Sequence, residues 1–369
     1  MRTSGHQIQD ILILNFADVS MNRRLRHCQR PLKLTLLVFY IGLVLFSIFN
    51  YRSNCIYTSP ESLIRSNLIS RVKTAHICRI NFDKLDVVDI DIFSEPSFEL
   101  IKERNQHVFP GGYWKPEICE SLQRVAIIIP YRNRLHHLKL LLNRIHTLLR
   151  KQNIEYQVFV VEQAGNDSFN KGKLNNVAFT EATKMENFDC FIFHDVDFLP
   201  ENDKNLYMCD DHLRQLSSAI DENRYHVMFY NNAGGVIAMK SENFRKINGF
   251  PNSYWGWGNE DDDFSARTRE AGMLITRPPE HIGMFKAVRH VKEVRSENGY
   301  DAFLGWRGRW MNDGLNSPST MKYTIIQLTR LPLYTNITVD IGPSEGHRVD
   351  INKDTTRESI WWFLKFYFP

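Results

Sequence analysis

Two clusters of carboxylates stand far apart in the sequence, each placed where an acidic side chain can do more than solvate a surface. His194-Asp195-Val196-Asp197 closes an apolar run that begins at Phe188. If the chain stays extended, alternation sends Asp195 and Asp197 to one side and Val196 to the other. Two carboxylates at a strand end suit a hard divalent cation, Mn2+ or Mg2+, bridging to phosphate oxygens. A solvated turn is the competing reading of an isolated Asp-Val-Asp. The second cluster, INGFPNSYWGWGNEDDDF, runs from Ile247 to Phe264 and sets Glu260, Asp261, Asp262 and Asp263 directly behind Trp255-Gly256-Trp257-Gly258. A run of charge is normally a solvated face, but two tryptophans beside it are costly on an ordinary turn. Glycines let backbone approach a ligand, and indoles stack on sugar rings while desolvating nearby carboxylates. Such a carboxylate can accept a proton from a hydroxyl.

These residues need a scaffold, and the apolar pattern supplies one. VAIIIP from Val125 reads as a buried parallel strand closed by Pro130. Leu138, Leu141, Leu142, Ile145, Leu148 and Leu149 recur at helical spacing over Leu135 to Leu149. Further strands are expected over Tyr156 to Gln163 and Phe188 to Asp197. Strand, helix, strand, helix, strand predicts an α/β core with a right-handed parallel sheet, whose ligands sit beyond the carboxyl ends of the strands.

The 369-residue chain has a net charge of +4, and the whole excess lies before residue 34. No nucleic-acid surface is expected. Leu34 to Tyr51 carries no charged residue and as a helix spans about 27 Å, enough for a thin bilayer. Basic residues on its N-terminal side put residues 1–33 in the cytosol, 34–51 in the membrane and the rest in the lumen, with 52–108 a stem. A cleaved signal peptide is the rival reading; the long charged region and the lack of a small-x-small site after Tyr51 count against it. Six cysteines without a CxxC pair suit disulfides better than zinc. The sequons at Asn166 and Asn336 fit a secretory location.

IIIPYRNR (Ile127 to Arg134), FNKGKLNNV (Phe169 to Val177), Asp195-Val196-Asp197, Ala233-Gly234-Gly235, the WGWGNEDDD run and LPLYTNITVDIG (Leu331 to Gly342) together resemble the signature series of the β-1,4-galactosyltransferases. The resemblance implies a GT-A fold, a Rossmann-like mixed sheet with helices on both faces, over residues 109–346. It implies inverting, Mn2+-dependent transfer from UDP-Gal or UDP-GalNAc to O4 of a terminal N-acetylglucosamine-type sugar on a glycoprotein or glycolipid, at the Golgi membrane. Pro130, Tyr131, Arg132, Arg134, Phe169, Lys171, Asp195, Val196, Asn232 and Trp257 then belong to the donor site. Asp197 and His290 hold the metal, and Asp261 is the base. Glu260 and Asp262 hold the sugars, with Trp257 and Gly258 on the acceptor side. Cys190 and Cys209 match a family disulfide; Cys78 with Cys119 is a looser pairing.

The sequence also departs from the pattern. Tyr131 stands for the usual Phe, and Lys171 for Arg, trading a planar fork for a point charge. Ala287 replaces a metal-ligating methionine, with Met284 one helical turn back as a substitute. A weak or inactive sugar-binding relative is therefore one alternative, and a xylose-directed galactosyltransferase another. Asn232 replaces a Tyr that narrows the donor pocket; it is smaller and can bond an amide, favouring UDP-GalNAc, unless it is merely a loop residue. Tyr300, Phe303, Trp306 and Trp310 are either an acceptor wall or core. The tail over 347–369 has no assigned role.

Overall fold

The computed structural model describes residues 37–42, 55–69, 76–291, 293–296 and 299–344. The chain divides into two units, residues 1–53 and 54–369. In the first, the described residues 37–42 form an exposed helix, α1. Most of the expected anchor, the 1–33 segment and the 347–369 tail lie outside the described residues. Among the described residues no helix is long and apolar enough to cross a membrane.

The second unit is a mixed α/β fold. Its strands are β1 (Ile56–Tyr57), β2 (Tyr113–Trp114), β3 (Arg124–Tyr131), β4 (Glu155–Gln163), β5 (Cys190–His194), β6 (Phe198–Pro200), β7 (Leu213–Gln215), β8 (Ala219–Ile220), β9 (Val236–Lys240), β10 (Ile275–Arg277), β11 (Met284–Ala287), β12 (Thr324–Arg330) and β13 (Thr335–Asp340). The helices are α2 (Pro60–Ile69), α3 (Phe98–Arg104), α4 (Leu135–Lys151), α5 (Lys171–Met185), α6 (Ser241–Lys246), α7 (Glu260–Glu270), α8 (Gly299–Leu304) and α9 (Trp306–Arg309). The large sheet runs β1-β10-β7-β9-β5-β3-β4-β13-β12, with β2 also on β4; β6, β11 and β8 form a smaller one.

The expected parallel core is present where β5, β3, β4 and β13 pair side by side. It is not the whole sheet, because β9 joins antiparallel to β5 and β7. Alternation along β3 divides its apolar run between two cores. Val125, Ile127 and Ile129 pack with Leu138, Leu141 and Ile145 of α4, whereas Ala126 and Ile128 pack with Leu174 and Val177 of α5. The helices therefore cover both faces.

The stretch expected as stem is built into this unit. Leu63, Leu85 and Ile101 are buried in the α4-side core, β1 pairs with β10, and Cys78 is bonded to Cys119. These apolar residues dock singly rather than as one face, so they leave no period to read. Cys190 is likewise bonded to Cys209.

One buried histidine ties α4 to the sheet and another ties β5 to the loop at Tyr207. His146 donates Nε2–H to the Leu333 carbonyl (2.9 Å) and accepts at Nδ1 from the Tyr156 hydroxyl (2.8 Å). His194 donates Nδ1–H to the Asp195 carbonyl (2.8 Å) and accepts at Nε2 from Tyr207 (3.0 Å). Burial pushes both down to about 4. The unfolded chain takes up these protons near pH 6.5, so stability is complete above that and declines as pH falls toward 4, by roughly 3 kcal/mol per histidine. Urea melts of wild type and His146→Gln between pH 7.5 and 4.5 check this: the variant is less stable at pH 7.5 but loses less on acidification.

Candidate active site

The strands that carry the chemistry end at one place. β3 stops at Tyr131 and β5 at His194, and a cavity of about 610 Å³ opens beyond them. From the end of β3 it receives Pro130, from the turn between β3 and α4 Arg132 and Arg134, and from beyond β5 Asp195, Val196 and Asp197. Phe169, Lys171, Asn232 and Trp257 also line it, as do Glu260, Asp261 and His290. Of the expected site residues, Tyr131, Gly258 and Asp262 are not among its lining. Tyr131 is half-buried against the α4-side core.

Strand alternation is not what aims Asp195 and Asp197. β5 ends one residue earlier, and Val196 and Asp197 lie in a turn before β6. Asp195 N–H donates to the Gly235 carbonyl (3.0 Å), and the Asp197 carbonyl accepts from Val288 N–H (2.8 Å). The turn is thus pinned to β9 on one side and to the β11 end on the other.

Lys171 is the electrostatic centre. It opens α5, whose start is capped by Asn170 Oδ1 accepting from Lys173 N–H at 2.8 Å. Its Nζ lies 2.9 Å and 3.1 Å from the Asp261 oxygens, 2.9 Å from Glu260 and 3.6 Å from Asp195. Burial works against the Lys171 charge, but the three carboxylates outweigh it and raise its pKa well above the ordinary value. One cation does not balance three crowded acids, one buried and two partly buried. Burial pushes Asp261 up to about 8 and Asp195 up to about 6, with Lys171 opposing and the neighbouring carboxylates adding.

The acidic run is the first turn of α7, where the helix N-terminus favours negative charge. Its approach requires unusual backbone: Gly256 has φ 87° and Asn259, the residue before the helix, φ 71°. A side chain at Gly256 would meet the Val294 carbonyl at 2.5 Å. Glu260 and Asp261 face the cavity. Asp262 accepts from Asn232 at 2.5 Å. Asp263 turns inward to Arg267 (2.5 Å), Arg309 (2.6 Å) and the Tyr254 hydroxyl (2.8 Å). Gly234 abuts Asp261, since a Cβ there would lie 2.6 Å from Asp261 Oδ2.

Asp197 and His290 meet at 2.9 Å, Oδ2 to Nε2. The bond raises the His290 pKa, and Asp197 is held low despite burial. His290 Nδ1 lies 2.8 Å from the Val291 carbonyl, the backing that aims Nε2 of a metal-binding histidine. A carboxylate oxygen and an imidazole nitrogen facing one cavity fit a divalent cation, with diphosphate and water left to complete its shell. Among the described residues no group of three or more His, Cys, Asp or Glu forms a metal cluster. Ala287 lines the cavity and Met284 does not. The segment is strand β11 rather than helix, so residues three apart point to opposite faces and Met284 cannot stand in.

Phe303 and Trp306 are buried with Ala266 in a separate small core, with Trp310 packed against it; Tyr300 is exposed. None of the four lines the cavity. Asn166 is exposed, and Asn336 is half-buried on β13, where its amide donates to Thr338 Oγ1 at 3.1 Å.

Sequence reasoning missed the clamp on Arg132, which pairs with Glu293 (2.8 Å), donates to the Asp167 carbonyl (2.5 Å) and lies over the Phe169 ring. It also missed the reason for Gly234. The Ala-Gly-Gly motif was visible, but its contact with Asp261 is a property of the fold alone. A titration tests the central charge arrangement. The Asp261 carboxyl, followed by carbon NMR in metal-free protein, is expected to titrate near pH 8, and higher in Lys171→Met. An ordinary carboxylate midpoint in either protein contradicts it.

The chain matches two family models: the N-terminal region of glycosyl transferase group 7 over residues 78–210, and the N-terminal domain of galactosyltransferase over 214–291. It is 44% identical over 259 residues to human β-1,4-galactosyltransferase 3, covering 69% of this chain and 65% of that protein. Bovine β-1,4-galactosyltransferase 1 is 42% identical over 247 residues, covering 66% and 61%. The chain thus spans a little under two thirds of the length of these relatives. The catalytic domain of Drosophila β-1,4-galactosyltransferase 7, solved with xylobiose, superposes with a TM-score of 0.52 at 26% identity, covering 63% of this chain and 98% of that one. The fold, the ordered motifs and these likenesses agree, and the chain belongs to the β-1,4-galactosyltransferase family.

Proposed function

We propose that the chain is an inverting, metal-dependent transferase that moves galactose or N-acetylgalactosamine from a UDP-sugar to O4 of a terminal N-acetylglucosamine-type sugar. We further propose a single N-terminal anchor in the Golgi membrane with the catalytic unit in the lumen. The observation that carries the reaction is that Asp197 with His290, and Asp261 with Glu260, open onto one cavity. A second structure of the Drosophila relative, holding manganese, UDP-Gal and xylobiose, supports a nucleotide-sugar and a divalent ion as its contents.

In this reading Asp261 takes the proton of the acceptor hydroxyl as that oxygen attacks the anomeric carbon from the face opposite UDP. Burial and the neighbouring carboxylates make the ionised Asp261 a stronger base than an ordinary carboxylate, and it acts once positive charge in the cavity has displaced its proton. Lys171 holds Asp261 in place and gives the departing diphosphate a cation, while Arg132 and Arg134 offer it further donors. A bound Mn2+ held by Asp197 and His290 would neutralise charge on the leaving diphosphate. Trp257, 48% exposed at the cavity edge, covers the sugars and excludes water.

Donor choice rests on Asn232. Its small size leaves room for an N-acetyl group, which favours UDP-GalNAc; the relatives' names favour UDP-Gal. The amide argument for GalNAc is weaker than the sequence suggested, because an Asn232 N–H is directed to Asp262.

A panel of UDP-Gal and UDP-GalNAc against N-acetylglucosamine and xylose acceptors, with Mn2+, tests the reaction. The expected outcome is transfer to N-acetylglucosamine in β1,4 linkage, reduced about a thousandfold by Asp261→Asn with UDP affinity nearly intact. No transfer to any acceptor leaves a binding relative; transfer to xylose alone makes it the xylose-directed branch. Calorimetry of Mn2+ in the presence of UDP tests the metal. Asp197→Ala is expected to abolish metal-linked UDP binding, and Ala287→Met to tighten it severalfold by restoring a thioether ligand.

A further inference from the structure

Residues 55–69 precede residue 78, where the first family match begins, yet they are docked on the catalytic unit at two places. Leu63 of α2 is buried in the α4-side core, and Asn67 donates to the Cys209 carbonyl (3.1 Å) and accepts from Gln123 (2.5 Å). Ahead of α2, β1 lies parallel on the outer edge of β10. β10 is three residues long, and its ladder with β7 stops at Thr276. The ladder partner of its last residue, Arg277, is Tyr57 of β1, and Thr58 N–H donates to the Arg277 carbonyl at 2.7 Å. The arm thus supplies the ladder hold on the Arg277 backbone.

What Arg277 holds in turn is the cavity. The residue is fully buried. Its Nη2 donates to the Phe229 carbonyl (3.1 Å) and the Asn232 carbonyl (2.8 Å), and its Nε to Gln215 Oε1 (2.8 Å). Nη1 faces Cys55 Sγ at 3.9 Å, so the arm meets the guanidinium as well as the backbone. Gln215 passes the contact on through Nε2 to the Gly234 carbonyl (3.3 Å). Gln215, Phe229, Asn232 and Gly234 all line the cavity. Residues 224–235 lie in neither helix nor strand, so the fork of a buried arginine takes up carbonyls that a ladder would otherwise satisfy.

We propose that residues 55–58 are a brace for the donor side of the cavity: β1 positions Arg277, and Arg277 positions the turn that brings Phe229 and Asn232 to the site. The donor role rests on the reaction proposed above; the brace itself does not. Two physical points support it. Ile56 and Tyr57 are exposed, so β1 adds little to the core, and what it contributes is the pairing itself. The Arg277 contacts run to carbonyls, an amide oxygen and a thiol rather than to a carboxylate. Such bonds weaken steeply with misalignment, so they last only while the Arg277 backbone is held in place.

Hydrogen exchange read by mass spectrometry on the full chain, without substrate, tests the brace. Thr58→Pro removes the N–H that donates to Arg277, and Thr58→Ala keeps it. Arg277→Lys keeps the pairing of β1 with β10 and loses the fork. Amides over residues 227–235 are expected to exchange about tenfold faster in Thr58→Pro and Arg277→Lys. Thr58→Ala matches wild type, and β3 and β4 are unchanged in all three. With UDP-Gal and UDP-GalNAc as donors, the two loosened variants raise donor KM about tenfold, while kcat at saturating donor moves much less. Unchanged exchange over 227–235 in Thr58→Pro overturns the proposal; where that variant does not fold, Arg277→Lys decides. Faster exchange throughout the chain in both variants also overturns it, as a general loss of stability. Faster exchange in the turn beside an unmoved donor KM overturns its place on the donor side. Failure of the two readings is separable. A wild type that transfers no sugar removes the reaction, and exchange over 227–235 still decides the brace. A wild type that transfers normally beside a Thr58→Pro variant of unchanged exchange removes the brace alone.

Discussion

One lysine facing three carboxylates sets the electrostatics of the cavity. Lys171 stands within 3.6 Å of Asp195, Glu260 and Asp261, with Glu260 buried and the two aspartates partly buried. Ionised together they would leave the pocket with excess negative charge in a poorly solvated place, where such charge is expensive. Burial and the mutual repulsion of these carboxylates push Asp195 and Asp261 up, against the opposing pull of Lys171. A site in that condition favours the arrival of positive charge. The Asp197 and His290 pair stands at its edge, on the side of Asp195.

Holding three like charges together requires scaffolding from elements distant in sequence. Lys171 comes from the start of α5, Asp195 from the end of β5, and Glu260 and Asp261 from the start of α7. The parallel pairing of β3 with β4 and β5 brings the first two to one end of the sheet. The third is delivered by the antiparallel return of β9, whose preceding turn seats α7. The mixed character of the sheet is therefore what closes the site, since a purely parallel arrangement would leave α7 without that seat.

How much of this could be read from the sequence differs from residue to residue. The β3 run and the α4 leucines were legible because burial on a sheet or one helical face leaves a period. The acid clusters were legible because tryptophan and glycine beside charge are unusual. The region before residue 109 was not: Leu63, Leu85 and Ile101 reach the core from separate short segments, and isolated contacts carry no period. β11 was misread as helix because four residues are too short for either pattern to show. The turn at Val196 and Asp197 was read as strand for a related reason, since an apolar run gives no sign of where its hydrogen bonding ends. The roles of Phe303 and Trp306 were open in the sequence because an aromatic for a sugar and one for a core are the same residue, and only burial decides.

The acidic run separates charge that supports structure from charge that serves chemistry. Four consecutive residues at the start of a helix point about 100° apart, so Glu260 to Asp263 face different surroundings. Asp263 and the nearby Asp313 lie between Arg267 and Arg309, with the Tyr254 hydroxyl bonded to Asp263, two acids to two cations, all buried except the partly buried Arg309. That charge balance suits a network that fixes α7 to the α9 segment. Glu260 and Asp261 share a single lysine with Asp195, three acids to one cation. The same sequence pattern, an uninterrupted row of acids, thus supplies a neutral anchor on one side of the helix and an unbalanced pocket on the other. The anchor is what makes the imbalance tolerable. With Asp263 locked behind it, α7 is held in the rotation that turns Glu260 and Asp261 toward Lys171 and the cavity.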